Sequence, residues 1–274
     1  METESVAEEE GGPRLRLAEP VAASVQKYAR ITGIVFLVAF LGGLFGEYYA
    51  PSQIIVAGNA IATAHNLVSS ELVFRLGFLG YLIEAVTDVV LTFLLYVLLR
   101  PVHANLALLA VLFRIMATAT FAFAEVFYFA PSLILLGGGG GYLSNAFSSD
   151  QLNALALLSL NMYMAVGNLF LQFYGVASIL LGYLIMRSGY LPRVMGAIWV
   201  VAGLGFVTTN VTYVLAPAYA SAFLLVPQLI ATVSLGLWLL LRGVNVERWN
   251  KRGAVVAYSP QAFSRQSPSS PGSE

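Results

Sequence analysis

The chain has no cysteine, two lysines and two histidines in 274 residues. Without cysteine there is no disulfide framework, no thiolate metal site and no cysteine nucleophile. Lys27 and Lys251 lie outside every long apolar run, which excludes a retinal-type Schiff base. His65 and His103 both fall near loops, where they cannot hold a bis-histidine haem inside a helical bundle. His65 has no acidic or histidine partner at ligand spacing and reads as a solvated loop residue. No H-E-x-x-H, G-x-S-x-G or P-loop signature occurs. Charge is scarce as well. Charged residues make up 10% of the chain, against roughly 25% in an ordinary soluble domain. Hydrophobic residues make up 58%, and the mean hydropathy is +0.79. This is a membrane composition with zero net charge, and neither a cofactor, a metal nor a nucleic-acid partner is expected.

What the chain has instead is long apolar runs. A membrane helix needs about 20 mostly apolar residues, because lipid leaves every backbone polar group to be satisfied within the helix. Six segments qualify, at about 31–50, 76–99, 106–134, 162–186, 193–215 and 220–241. Residues 27–252 form the expected transmembrane domain, flanked by disordered tails at 1–26 and 253–274. The third segment is long and predicts a tilt or a break near Pro131. Pro227 predicts a freed backbone carbonyl in the sixth. Between spans, "GGGGG" at 137–141 predicts a flexible hinge, and Ser148 or Ser149 a cap for a following interfacial segment that runs into the fourth span. Loop 51–75 reads as partly helical.

The basic residues set the orientation. Lys27 and Arg30, Arg100, Arg187 and Arg193, and Arg242, Arg248, Lys251 and Arg252 all fall on one side of six crossings. The opposite loops hold only Arg75, at a membrane edge. Both termini are therefore expected on the cytoplasmic side of a cell membrane.

The polar residues inside the spans carry the functional question. Glu84 and Asp88 are four residues apart in the second span and share a helix face. Arg114 and Glu125 share a face of the third, with Thr118 between them. A charged residue at a span's centre costs about 2.5–3.5 kcal/mol on insertion scales, so such side chains face the bundle. At a rise of 1.5 Å per residue, Asp88 lies about 16 Å and Arg114 about 12 Å above the cytoplasmic edge. The short "RPVHAN" connection makes the two helices antiparallel neighbours. Asp88 with Arg114 is the expected ion pair, and Glu84 is left without a partner. Asn161, Asn168 and Gln172 form a stripe on the fourth span, and Gln228 and Thr232 are one turn apart on the sixth. Their shared depth outlines a polar site of Glu84, Asp88, Arg114, Glu125, Asn168, Gln172 and Gln228. Interhelical hydrogen bonding is the alternative for each amide. Tyr48, Tyr49, Tyr128 and Trp249 read as interfacial anchors.

Several stretches resemble a known family. They are "ARITGIVFLVAFLGGLFGE", "SSELVFRLGFLGYLIEAVTDVVLTFLLYVLLRPVHANLALLAVLFRI", "FSSDQLNALALL" and "LLGYLIMRSGYLPRVMGAIWVVAGLGF". Together they resemble the prokaryotic domain-of-unknown-function family four-three-eight-six, whose members have about six predicted spans. The resemblance covers roughly 28 to 242. It implies the same topology and brings no catalytic residues.

The expected architecture is an all-α integral membrane bundle of six transmembrane helices, with the lipid bilayer as its surroundings. Two functions stay open. One is transport or permeation of a small solute or ion through a polar site between the second and third helices. The other is a structural or regulatory membrane protein whose buried charges form an internal salt-bridge staple. An intramembrane enzyme or lipid-binding protein is the weakest reading, because no nucleophile–base pair is visible.

Overall fold

The computed structural model describes residues 18–137, 141–219 and 221–258, which are helical with no strand among them. In chain order the α-helices are α1 (Ala18–Gly43), α2 (Ala50–Ile54), α3 (Ala60–Ser69), α4 (Glu71–Leu99), α5 (Ala104–Leu135), α6 (Tyr142–Ala146), α7 (Ser149–Ser188), α8 (Arg193–Leu215), α9 (Val226–Leu241) and α10 (Val246–Tyr258). A π-helical segment, Leu44–Tyr49, joins α1 to α2 without a break. Six helical stretches are long and apolar enough to cross a membrane: Ser24–Ile54, Glu71–Leu99, Ala104–Leu135, Ser149–Ser188, Arg193–Leu215 and Phe223–Leu241. The chain is a multi-pass membrane protein, and each expected span has its counterpart.

The spans close into a ring. Each packs on its neighbour in sequence, α1 on α4, α4 on α5, α5 on α7, α7 on α8 and α8 on α9, and α9 returns to α1. Glycines let backbones meet at these seams. A Cβ at Gly46 would stand 2.9 Å from the Gly77 carbonyl oxygen of α4, and one at Gly33 would stand 2.7 Å from that of Gly236 on α9. Six crossings put both ends of the described chain at one end of the ring, with the turns at 100–103 and 189–192. The loop at 55–59 and the described residues of the connections at 137–148 and 216–225 lie at the far end.

Two apolar cores hold the ring. At the terminal end, Phe36, Leu91, Leu95, Leu98, Trp199 and Leu239 are buried together. Polar ties reinforce this end: the Tyr190 hydroxyl and the Trp249 indole both donate to the Leu98 carbonyl, at 2.6 and 3.0 Å. Toward the far end, Ile54, Leu67, Phe74, Tyr81, Phe121, Tyr128 and Leu160 form the second core.

Two local expectations are corrected, the break at Pro131 and the carbonyl freed by Pro227. First, α5 does not break at Pro131 but runs on to Leu135. Proline has no N–H for the Phe127 carbonyl four residues back, and the Ser159 hydroxyl of α7 donates to that carbonyl instead, at 2.7 Å. Second, Pro227 frees no helical carbonyl, because α9 begins at Val226 and its first turn needs no N–H donor. As expected, Ser148 caps a segment that runs into the fourth span. A capping box, with Gln151 N donating to Ser148 Oγ at 3.4 Å and Ser148 N to Gln151 Oε1 at 2.8 Å, opens one 40-residue helix. At 1.5 Å per residue it is about 60 Å long, well beyond a hydrocarbon core of about 30 Å. The described helices begin at Ala18 and end at Tyr258, inside the ranges expected as tails. The remainder of those tails, and the centre of the glycine run, lie outside the described residues. The ends of that run, Gly137 and Gly141, have φ near +78° and +77°, where a side chain would be strained.

Candidate binding site at the ring axis

Asp88 of α4 and Arg114 of α5 form the expected ion pair, through Oδ1 and Nη2. The Thr118 hydroxyl, one turn from Arg114, donates to Asp88 Oδ2. Both carboxylate oxygens of Asp88 are therefore occupied. Arg114 is 2% exposed, and its guanidinium carbon lies 4.8 Å from the ring centroid of Tyr174 on α7. A cation held against an aromatic face gains electrostatically where water is scarce.

Glu84 is held differently. Its Oε2 is buried and accepts no hydrogen bond. Its carboxylate lies against Gly43, where a Cβ would come within 2.8 Å of the carboxyl carbon. That glycine precedes the π-helical segment, which carries Glu47. Gly46 of the segment packs on α4, and Glu47 is accessible and lies on the same cavity as Glu84. π-Helical turns inside α-helices recur at functional sites, because they turn a side chain away from its regular helical direction.

The cavity lies on the ring axis and has a volume of about 350 Å³. All six spans contribute to it, rather than the second and third alone. Phe36 and Leu91, which belong to the terminal-end core, form its floor. Phe121, Phe170 and Phe206 are on its walls, with Glu47, Glu84, Asp88, Arg114, Thr118, Gln228 and Thr232 as the polar lining. The exposed lining residues Leu44, Tyr48 and Leu229 come from the π-helical segment and α9, so the opening lies between those two elements at the far half of the ring. Small-molecule sites have this make-up: about 300–1,000 Å³, mostly apolar, with a few polar groups that fix orientation.

Four of the seven expected site residues meet here: Glu84, Asp88, Arg114 and Gln228. Gln228 is 8% exposed; its Nε2 donates to Thr232 at 3.0 Å, and its Oε1 has no partner. The other three stand elsewhere. Glu125 is 3% exposed with an unpartnered Oε1, and it is not on the cavity wall. Gln172 also has a buried, unpartnered Oε1 away from the cavity. Asn168 spends its side chain on its own helix, donating to Met164 O at 2.9 Å, while its backbone carbonyl accepts from Asn210 Nδ2 of α8 at 2.5 Å. Among the described residues, no group of three His, Asp or Glu side chains is placed to hold a metal ion. His103 caps α5, its Nδ1 accepting from Leu106 N at 3.2 Å.

Sequence reasoning missed Glu47 and Tyr174. Glu47 was visible as an acidic residue closing an apolar run, in "FGEYY". Tyr174 gave no signal, because an aromatic residue in an apolar span is ordinary. Tyr128 is corrected from interfacial anchor to core residue: it is fully buried, and its ring stacks on Phe74 with centroids 4.9 Å apart.

Comparison with known proteins places this geometry in a family. Residues 31–243 match the family described as Domain of unknown function (DUF4386). The chain belongs to the DUF4386 family. The match takes in five spans whole, the first from residue 31 onward, and every cavity residue named above. An "Uncharacterized protein" of Archaeoglobus fulgidus is 27% identical over 128 residues, which is 47% of this chain and 61% of the relative's length. No solved structure matches this DUF4386 chain.

Proposed function

We propose that the chain moves a small solute or ion across a cell membrane through the axial cavity, with Glu84 as the group that carries charge. One observation carries this reading: a buried, unpartnered carboxylate oxygen on a cavity at the centre of a membrane bundle. Ionisable residues inside spans are rare and mark pathways and proton relays. The terminal-end core below Phe36 and Leu91 leaves access from the far half, as an alternating-access or gated path has in one of its states. The basic residues at the terminal end support cytoplasmic termini, so the cavity opens toward the outside.

A second reading has its own support. Asp88, with both oxygens filled by Arg114 and Thr118, has the features of a staple that fixes the register of α4 on α5. The staple reading describes Asp88 and Arg114; the transport reading describes Glu84.

Reconstituted vesicles containing a pH-sensitive dye test the proposal. Wild type should dissipate an imposed proton gradient faster than empty vesicles, and Glu84→Gln should lose that excess. Wild type, Glu84→Gln and empty vesicles giving one rate would overturn it.

A further inference from the structure

The cavity's unpartnered groups identify a chemical class of ligand. We infer that it takes a small organic cation, an ammonium attached to an apolar or aromatic body, with the charged head at Glu84. The inference rests on the reading of the cavity as a solute site and adds what the solute is.

Charge comes first. Glu47, Glu84 and Asp88 line the cavity against one cation, Arg114. Asp88 and Arg114 pair with each other, and Glu47 and Glu84 are acidic groups left with no basic residue of the lining to pair with. An incoming anion would meet both carboxylates before it reached Arg114, whereas a cation is drawn to them.

Hydrogen bonding points the same way. Two acceptors on the wall have no protein donor, Glu84 Oε2 and Gln228 Oε1. Gln228 is more than nine-tenths buried, so its bare oxygen is costly unless a donor arrives. A primary ammonium carries three donors and no acceptor, which suits those oxygens. The guanidinium N–H groups of Arg114 left without acceptors, at Nε and Nη1, belong to the side chain already paired with Asp88 and set against Tyr174.

The remaining wall supplies the body of the ligand. Phe36, Phe40, Phe121, Phe170 and Phe206 surround the polar groups. Aromatic faces attract organic cations, and the attraction is largest where water is excluded. A hydrated inorganic ion gains little from such a surface. The exposed apolar residues at the opening, Leu44, Tyr48 and Leu229, give an amphiphilic molecule an apolar entry between the π-helical segment and α9.

Equilibrium dialysis of the purified full chain in detergent tests this, with protein-free micelles subtracted. The probes are radiolabelled phenethylamine, the uncharged 2-phenylethanol and the anionic 3-phenylpropionate. Phenethylamine should bind saturably at one site per chain, and the other two should not. Glu84→Gln should weaken it about tenfold or more, the effect of losing a charge-assisted hydrogen bond, and Glu47→Gln should weaken it less. Glu71→Gln, in an exposed ion pair with Arg75, is the matched control and should bind like wild type. Saturable binding of 3-phenylpropionate in place of the amine overturns the cation assignment while leaving the cavity as a solute site. Amine binding that is absent, or equal in wild type and a folded Glu84→Gln, also overturns it. The proton-flux assay separates the two proposals: Glu84-dependent flux without amine binding rejects only the ligand class, and amine binding without flux rejects only transport.

Discussion

Asp88 on α4 and Glu84 one turn away share a helix face, yet Asp88 has both oxygens filled by Arg114 and Thr118 while Glu84 keeps a buried oxygen with no donor. The contrast assigns them different work, and it can be measured. Removing one member of a buried ion pair costs about 3–5 kcal/mol, because the other charge is left uncompensated. Asp88→Ala and Arg114→Ala should each destabilise by that order, and the double mutant should cost less than their sum by about 0.5–3 kcal/mol. Denaturant titration in mixed micelles reads these values. Strict additivity would contradict the pairing. Glu84→Gln should leave stability unchanged or raise it, since it removes an unpaired buried carboxylate.

Gly43 and Gly46 should respond in opposite ways to the same added methyl group. At Gly43 the group would meet the Glu84 carboxylate, the far end of a flexible side chain. Gly43→Ala should therefore fold normally, displace Glu84 and reproduce the Glu84→Gln phenotype in flux and binding. At Gly46 it would stand 2.9 Å from the Gly77 carbonyl oxygen and 3.1 Å from Tyr81 N, both backbone atoms of α4. Gly46→Ala should push the π-helical segment from α4 and lower stability by about 1–3 kcal/mol, as overpacking does. Thermal unfolding in detergent distinguishes them.

The hydrogen bond from Ser159 to the Phe127 carbonyl stands in for the one that Pro131 cannot make. Ser159→Ala should cost about 1–3 kcal/mol, the penalty for a buried acceptor left bare. Pro131→Ala restores an N–H four residues on from that carbonyl. In a Pro131→Ala background, Ser159→Ala should cost markedly less. An equal cost in both backgrounds would show that the hydroxyl matters for another reason.

The six spans were legible in the sequence because the bilayer imposes a length that nothing else in the chain satisfies. The Asp88–Arg114 pair was legible for a related reason: a four-residue turn between antiparallel spans fixes relative depth, and few partners are available at that depth. Ring closure was not legible. It depends on α1 meeting α9 at Gly33 and Gly236, and single glycines in apolar runs do not announce their partners. Glu47 escaped because its direction depends on a π-helical turn, which a regular helical period does not anticipate. The amide stripe of the fourth span was read as a site for its depth, but depth does not fix azimuth. The Asn168 side chain is spent on Met164 O of its own helix, and Gln172 is not on the cavity wall. Pro131 and Pro227 were misplaced for opposite reasons. One is compensated by a hydroxyl 28 positions away in sequence, and the other sits in a first turn that needs no compensation.

The absence of cysteine makes one measurement especially direct, since each introduced thiol is the only one in the chain. Thr232→Cys and Gln228→Cys place a thiol on the cavity wall, Ala57→Cys on the exposed far-end loop and Ala202→Cys in a fully buried helix contact. Each is reconstituted and exposed to a small, charged, membrane-impermeant thiol reagent from one side at a time. The axial cavity predicts that Thr232→Cys and Gln228→Cys react from the side on which Ala57→Cys reacts, that they do not react from the opposite side, and that Ala202→Cys is inert to both. Cavity thiols as unreactive as Ala202→Cys, in protein whose Ala57→Cys labels fully, would contradict a water-accessible site at the centre of the ring.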